Sequence, residues 1–337
     1  AKEMHEQPAV LANALARYVD PQGQRVTLPD GLDLGSCRRV VLVACGTAHY
    51  ACHVAKYWIE ALARVPVEIE VASEFRSRET ADTLAALRYL KGAGGRIVAV
   101  INVETSTIAR ESDAALPIHA GPEIGVASTK AFTCQLLVLA CLALGLARAR
   151  GRLTDEAEAA HVAALVTLPG ILAQALAIEP FVVEIAKDVS RARDVLFLGR
   201  GSLYPIALEG ALKLKEISYI HAEGYASGEL KHGPIALIDD AVPVVVLAPS
   251  GPLFDKVVSN MEEVMARDGQ VVLVSDARGI TEAGGTVSHA LALPDCAPFV
   301  APIAYAVPMQ LLAYHCAVLK GTDVDQPRNL AKSVTVE

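Results

Sequence analysis

The chain has 337 residues, of which 53% are hydrophobic, 20% charged and only 5% aromatic, and its mean hydropathy is +0.36. That much apolar material fills two cores of about 150 residues each; it excludes disorder and suits buried layers of strand and helix better than an all-β sandwich. A net charge of −8, with no run of Lys or Arg, argues against a nucleic-acid-binding surface.

The opening residues AKEMHEQPAV carry no signal-peptide core. Glu6–Val19 has helical spacing and ends at the turn Asp20-Pro21-Gln22-Gly23. Val40–Ala44 is a continuous β-branched run, followed by Cys45-Gly46-Thr47 and a helical stretch to Leu62. Ile97–Ile101 reads as a further strand. Ala131–Ala147 is the most apolar stretch; it is short for a membrane span, is interrupted by Thr133 and Gln135, and reads as a core helix. An Ala/Glu-rich helical segment, Thr154–Ile178, follows. Val195–Leu198 then precedes Gly199-Arg200-Gly201-Ser202 and a helix over Ile206–Ile217, with strands at Val242–Ala248 and Val271–Val274.

Strand, glycine turn, helix is the repeating unit of a parallel α/β sheet buried on both faces. It occurs in both halves, and the halves end alike: Phe132-Thr133-Cys134-Gln135-Leu136-Leu137 and Val307-Pro308-Met309-Gln310-Leu311-Leu312 each sit in a long apolar helix. An internal duplication into domains 1–178 and 179–337 follows.

The two copies differ in length. Gly46 to Gln135 spans 89 positions and Gly201 to Gln310 spans 109. The second half has the strand Val242–Ala248 where the first half has none, Ser73-Glu74-Phe75-Arg76 running straight into Ser77-Arg78-Glu79-Thr80. The spacing predicts that a stretch of about 20 residues, carrying one strand, is absent between Arg76 and Ser77, because a parallel sheet lacking a central strand leaves ladder groups unpaired. An intact mass equal to the 35.5 kDa of this sequence would contradict that expectation.

Seven cysteines, at positions 37, 45, 52, 134, 141, 296 and 316, form no CxxC pair. They read as buried thiols of a reduced, cytoplasmic protein. The nine histidines contain no HExxH pair or zinc spacing, so no metal is expected. Gly199-Arg200-Gly201 lacks the rest of a dinucleotide fingerprint, no Walker sequence is present, and no cofactor is expected. Cys45 after its strand could be a nucleophile, but His49 is its only nearby histidine.

Two hydroxyl-bearing turns open helices: Ser77-Arg78-Glu79-Thr80 and Gly125-Val126-Ala127-Ser128-Thr129-Lys130. Each could cradle a phosphate or simply cap its helix. The densest polar cluster runs from Lys213 to Glu223 and on to Gly228–Pro234. Glu209, Lys213 and Glu216 share a helix face, which is compatible with a tuned general base beside an oxyanion-stabilising ammonium or with a solvated ion pair. His232 is either a proton shuttle or an exposed loop histidine; His221 reads as structural. The polar tail Gly321–Glu337 has the composition of a fraying terminus.

Ala44-Cys45-Gly46-Thr47, Ser73-Glu74-Phe75-Arg76, Gly125–Thr133, Ala207–His232 and Asp323–Glu337 together closely resemble the isomerase half of the glucosamine-6-phosphate synthase family, over essentially the whole chain. The resemblance implies an α/β fold of two sugar isomerase (SIS) domains, each a parallel β-sheet sandwiched by helices in three αβα layers. It implies conversion of fructose 6-phosphate and ammonia into glucosamine 6-phosphate. Glu216 takes the place of the base that moves a proton between C1 and C2, and Lys213 that of a lysine near the reacting atoms. His232 matches a ring-opening histidine reaching a neighbouring subunit's site, so a homodimer is implied. Lys332 matches a tail lysine that contacts the sugar, so the tail is expected to fold over the pocket. Sugar and phosphate contacts fall on Thr47, Ser77, Thr80 and Ser128, with backbone contacts at Val126 and Ala331. The chain departs from the family's Ser-Gln-Ser-Gly-Glu-Thr loop, keeping only Ser77 before Arg78-Glu79-Thr80, and has Ala48 where serine is usual. No glutaminase domain precedes Ala1, so glutamine hydrolysis is not expected. The alternatives are a stand-alone SIS-type glucosamine-6-phosphate deaminase, against which the tail sequence argues, and a non-catalytic sugar-phosphate-sensing module. No membrane partner is expected.

Overall fold

The computed structural model describes residues 1–75, 82–283 and 287–332. Its contacts divide the chain into two units with interleaved segments: one comprises Glu6–Glu123 and Ser128–Pro169, the other Ala1–His5, Ile124–Ala127 and Gly170–Lys332.

In the first unit the opening helix is Gln7–Tyr18. It stops short of the expected Val19 because Val19–Asp20 (β1) pairs antiparallel with Arg25–Val26 (β2) around the anticipated turn. Val40–Ala44 (β3) pairs in parallel with Val67–Val71 (β4), and Val98–Ile101 (β5) with Ala114–Pro117 (β6). These are two separate two-stranded sheets. The helices Gly46–Leu62 and Gln7–Tyr18 both pack on Lys130–Ala149, whose Phe132, Leu136, Leu137 and Leu144 are fully buried.

In the second unit Asp194–Gly199 (β7), His221–Ala226 (β8), Pro243–Leu247 (β9), Gln270–Asp276 (β10) and His289–Leu293 (β11) form one all-parallel sheet in the order β11-β10-β9-β7-β8. Alternate side chains serve opposite faces. Leu196, Leu198, Val244 and Val246 join Val257, Met261 and Val264 of the helix Phe254–Met265 in one core. Between them Phe197 points the other way, with Gly210 of the helix Tyr204–Ser218 so close that an added methyl would sit 3.1 Å from the ring. That helix packs in turn on Ala301–Lys320. The sheet is therefore covered on both faces, as a β9 with all five residues buried requires.

The duplication is visible in local geometry. The glycine opening the first helix after β3 and its counterpart after β7 both adopt left-handed backbone, Gly46 at φ +54° and Gly201 at +57°, a conformation that other residues reach only with strain. β1, β2, β4, β6, β8 and β11 are absent from the sequence reading.

Among the described residues three helices are long and apolar enough to cross a membrane: Lys130–Ala149, Asp155–Ala177 and Ala301–Lys320. The first and third hold 83% and 78% of their apolar windows buried within the fold, as core helices do; the first is longer than the stretch Ala131–Ala147 read from sequence. All seven cysteines are free thiols, but the expectation that all are buried fails: Cys45 is exposed, and Cys37 and Cys296 are half-buried.

Candidate active site

The helix Tyr204–Ser218 starts at a favourable proline, Pro205, and ends at Tyr219, which takes left-handed backbone at φ +60°. Glu209, Lys213 and Glu216 are spaced four and three apart and fall on one stripe of it. The Lys213 Nζ stands 2.5 Å from Glu216 Oε2 and 3.5 Å from Glu209 Oε1. Lys213 and Glu209 are 2% and 1% exposed, whereas the Glu216 side chain keeps 20% of its surface.

Burial by itself pushes the Lys213 ammonium toward deprotonation; the two carboxylates outweigh it, and the net shift is upward from the ordinary lysine value. The pair is thus not the solvated surface contact that the spacing alone allowed. Glu209 is a buried counter-charge, and Glu216 is the member of the cluster that remains reachable.

The tail closes on the end of the same helix. Thr322 Oγ1 donates to the carbonyl of Ile217 at 2.5 Å, and the Arg328 amide donates to the Tyr219 hydroxyl at 2.8 Å. The Arg328 guanidinium lies over the Tyr219 ring, 4.2 Å from its centroid. Farther along, the Val126 amide donates to the Asp325 carbonyl at 3.1 Å, and Lys332 Nζ donates to the Gly125 carbonyl at 2.7 Å. The fraying that composition favoured does not occur through Lys332. Tyr219, Asp325 and Arg328 were missed by sequence reasoning. Their partners are distant in the chain, and no local spacing marks them.

Of the other candidates, His232 is exposed at the end of the 3₁₀ segment Ser227–His232. Ala331 is exposed beside Lys332. Thr47 is half-buried in the first turn of the helix Gly46–Leu62, immediately past β3, where parallel sheets present ligand-binding loops. In that same unit the helix Lys130–Ala149 has its N-terminus occupied by the chain's own carboxylate. Glu123 Oε1 accepts from the amides of Thr129 and Ala131, at 2.8 and 3.1 Å, and Glu123 Oε2 accepts from the Ser128 hydroxyl at 3.0 Å. An anion there is what unpaired amides and the helix dipole favour. Ser77 and Thr80 lie outside the described residues. Among the described residues no group of three or more His, Cys, Asp or Glu side chains could hold a metal ion. His49 Nε2 sits 3.1 Å from His53 Nε2, not on Cys45.

The SIS domain model matches residues 33–145 and 188–320. The chain belongs to the SIS domain family. The C-terminal domain of glucosamine–fructose-6-phosphate aminotransferase from Francisella tularensis superimposes with a TM-score of 0.93 at 42% identity, over 97% of each chain. Glutamine–fructose-6-phosphate aminotransferase (isomerizing) from Zymomonas mobilis is 59% identical over 354 aligned positions, covering 100% of this chain and 58% of the relative. The namesake from Bradyrhizobium diazoefficiens is 58% identical over 356 positions and is covered to 59%. The chain thus spans a little over half the length of these relatives. The 354 and 356 positions exceed its 337 residues by 17 and 19. A glucosamine-6-phosphate deaminase from Thermotoga maritima shares the fold, with a TM-score of 0.74 at 23% identity. The resemblance read from the motifs, the α/β class and the two SIS matches agree.

Proposed function

We propose that the chain isomerises fructose 6-phosphate and, with ammonia, forms glucosamine 6-phosphate, acting as the isomerase part of a glutamine–fructose-6-phosphate aminotransferase. The observation that carries this reading is the buried Lys213 ammonium set between two carboxylates, of which only Glu216 is reachable.

Aldose–ketose conversion needs a weakly acidic α-proton removed and returned one carbon away. In the ammonia-free reaction Glu216 takes a proton from C1 of the open-chain ketose, giving a cis-enediol, and returns it to C2 while the C1 hydroxyl becomes the aldehyde. With ammonia, an imine first forms at C2 with loss of water. The same transfer then passes through an enolamine and leaves the amine on C2. Lys213, fixed as a cation, stabilises the oxygen on which charge develops. His232 assists ring opening and does so across a homodimer. Lys332, Val126 and Ala331 line the sugar, and Thr47, Ser77, Thr80 and Ser128 carry phosphate and hydroxyl contacts, which position the substrate through a group remote from the reacting carbons. Ammonia is the second substrate. Seven free thiols suit a reducing, cytoplasmic compartment.

Incubation with fructose 6-phosphate, with and without ammonium, tests this by NMR of the sugars. Glucose 6-phosphate without ammonium and glucosamine 6-phosphate with it are expected, and both are lost in Glu216→Gln. Saturable sugar-phosphate binding with no turnover would instead favour a sensing module.

A further inference from the structure

In the five-stranded sheet the chain runs from β7 out to β8 at one edge, then returns to β9 on the other side of β7. The strand order reverses between β7 and β9, and open α/β sheets hold ligands in the crevice beyond the carboxyl ends of such a pair. A cavity of about 110 Å³, room for several water molecules, lies there. Four strands contribute to its walls: Arg200 and Ser202 follow β7, Ser250 follows β9, Asp276 ends β10 and Cys296 follows β11. Glu209, Lys213 and Glu216 are not among the lining residues.

The walls are close-fitting and stiff. A Cβ added to Gly199 would sit 2.3 Å from the Leu203 carbonyl oxygen, and one added to Gly201 would sit 2.9 Å from Leu253 Cδ1. Glycine thus lets the turn after β7 close on the loop that precedes the helix Phe254–Met265. Pro249, Pro252, Pro294 and Pro298 line the same cavity, and backbone fixed in this way loses little freedom when a ligand binds.

Several polar groups face the cavity without internal partners. The Arg200 guanidinium and the Ser202 hydroxyl are half-buried, and neither makes a hydrogen bond or ion pair among the described residues. Tyr305 lines the cavity at 1% exposure, and its buried hydroxyl has no hydrogen-bond partner; the Asp276 backbone lies near it without closing one. A buried phenol normally finds a partner. Asp276, 6% exposed, accepts from the Ser250 amide at 2.6 Å and the Gly279 amide at 2.9 Å. Burial alone would raise its carboxyl, but these amides outweigh burial and the net shift is downward, so Asp276 is an ionised acceptor.

We propose that this cavity binds a small hydroxylated phosphate monoester. Arg200 pairs with the phosphate, and the Ser202 and Tyr305 hydroxyls are free to donate to its oxygens. Asp276 accepts from a hydroxyl on the body of the ligand, whose carbon atoms rest on Leu203, Leu253 and the prolines. The fixed charge of Asp276 also repels a second anionic group, which selects a monoester over a bisphosphate or a dicarboxylate. The proposal is independent of the reaction assigned to Glu216.

The probe is glycerol 3-phosphate, titrated into the intact chain and followed by the methyl NMR signals of Leu203, Leu253 and Val257, which line the cavity. Saturable shifts at these methyls are expected, with none on addition of glycerol. Arg200→Met weakens binding at least ~10-fold and Tyr305→Phe roughly five-fold, both variants melting cooperatively. Inorganic phosphate binds at least ~5-fold more weakly than the monoester because it leaves Asp276 unused. Absence of shifts at the three methyls at millimolar probe would overturn the proposal, as would shifts confined to the first unit. Equal affinity in wild type and Arg200→Met, or inorganic phosphate binding as tightly as glycerol 3-phosphate, would overturn it too.

Discussion

The Tyr219 hydroxyl accepts the Arg328 amide at 2.8 Å while the Arg328 guanidinium covers the Tyr219 ring, tying the C-terminal tail to the residue that ends the Glu216 helix. One aromatic side chain therefore couples the tail to the helix that carries Glu216, the proposed base. Tyr219→Phe removes the hydrogen bond and keeps the ring. A net loss of about 1 kcal/mol in tail docking is expected, read as a KM for fructose 6-phosphate raised roughly five-fold with kcat nearly unchanged, and as faster proteolysis within Gly321–Lys332. An unchanged KM would separate the tail from the sugar.

Lys213 is buried between Glu209 and Glu216. Lys213→Met removes the buried ammonium from between the two carboxylates, and a loss of roughly 3–5 kcal/mol is expected from urea unfolding. The sign of the wild-type pH dependence follows from the upward shift. The ion cluster's contribution is complete below the ordinary lysine value and is lost as pH rises through the higher folded value. Alkaline melting curves that are steeper for wild type than for the Met variant are the check.

Burial, followed by the neighbouring His49 and Lys56 charges, pushes His53 down to about 4 from an ordinary value of 6.5. A depressed folded value means that stability is present above pH 6.5 and declines as pH falls toward 4, because the unfolded chain takes up the proton first. His53→Gln, which carries no titrating group, is expected to flatten the Tm profile between pH 6.5 and 4. A profile unchanged by the substitution would place the acid sensitivity elsewhere.

Gly224 of β8 lies so close to the Glu216 helix that an added Cβ would meet the Leu208 Cα and N at 2.8 Å. Gly224→Ala forces backbone from backbone, which costs roughly 1–3 kcal/mol. The displaced helix carries Glu216, so kcat should fall along with Tm; a fall in Tm alone would mean that the helix retains its position.

The strands legible in the sequence were those whose residues are apolar on both faces. Val40–Ala44, Val195–Leu198 and Val242–Ala248 are continuous runs without a charged or hydrogen-bonding side chain, the pattern of parallel-sheet strands. β4, Val67-Glu68-Ile69-Glu70-Val71, and β8, which begins at His221 and includes Glu223, were not read because edge strands keep one side toward water and carry charge there. The triad of Glu209, Lys213 and Glu216 was legible because helical spacing is local. Its burial was not, since that depends on β7, β8 and the helix Ala301–Lys320 packing against it. Tail docking was invisible to composition: its ties are backbone and side-chain bonds to Gly125, Val126, Ile217 and Tyr219, far away in sequence.

The proposed function requires Glu216 to move the proton between C1 and C2. Incubation of fructose 6-phosphate in deuterium oxide, followed by NMR, tests it without requiring ammonia. Deuterium is expected at C2 of the glucose 6-phosphate formed and at C1 of recovered fructose 6-phosphate. Both signals should fall at least ~100-fold in Glu216→Gln while sugar-phosphate binding persists. Deuterium incorporation at the wild-type rate in that variant would show that another group is the base.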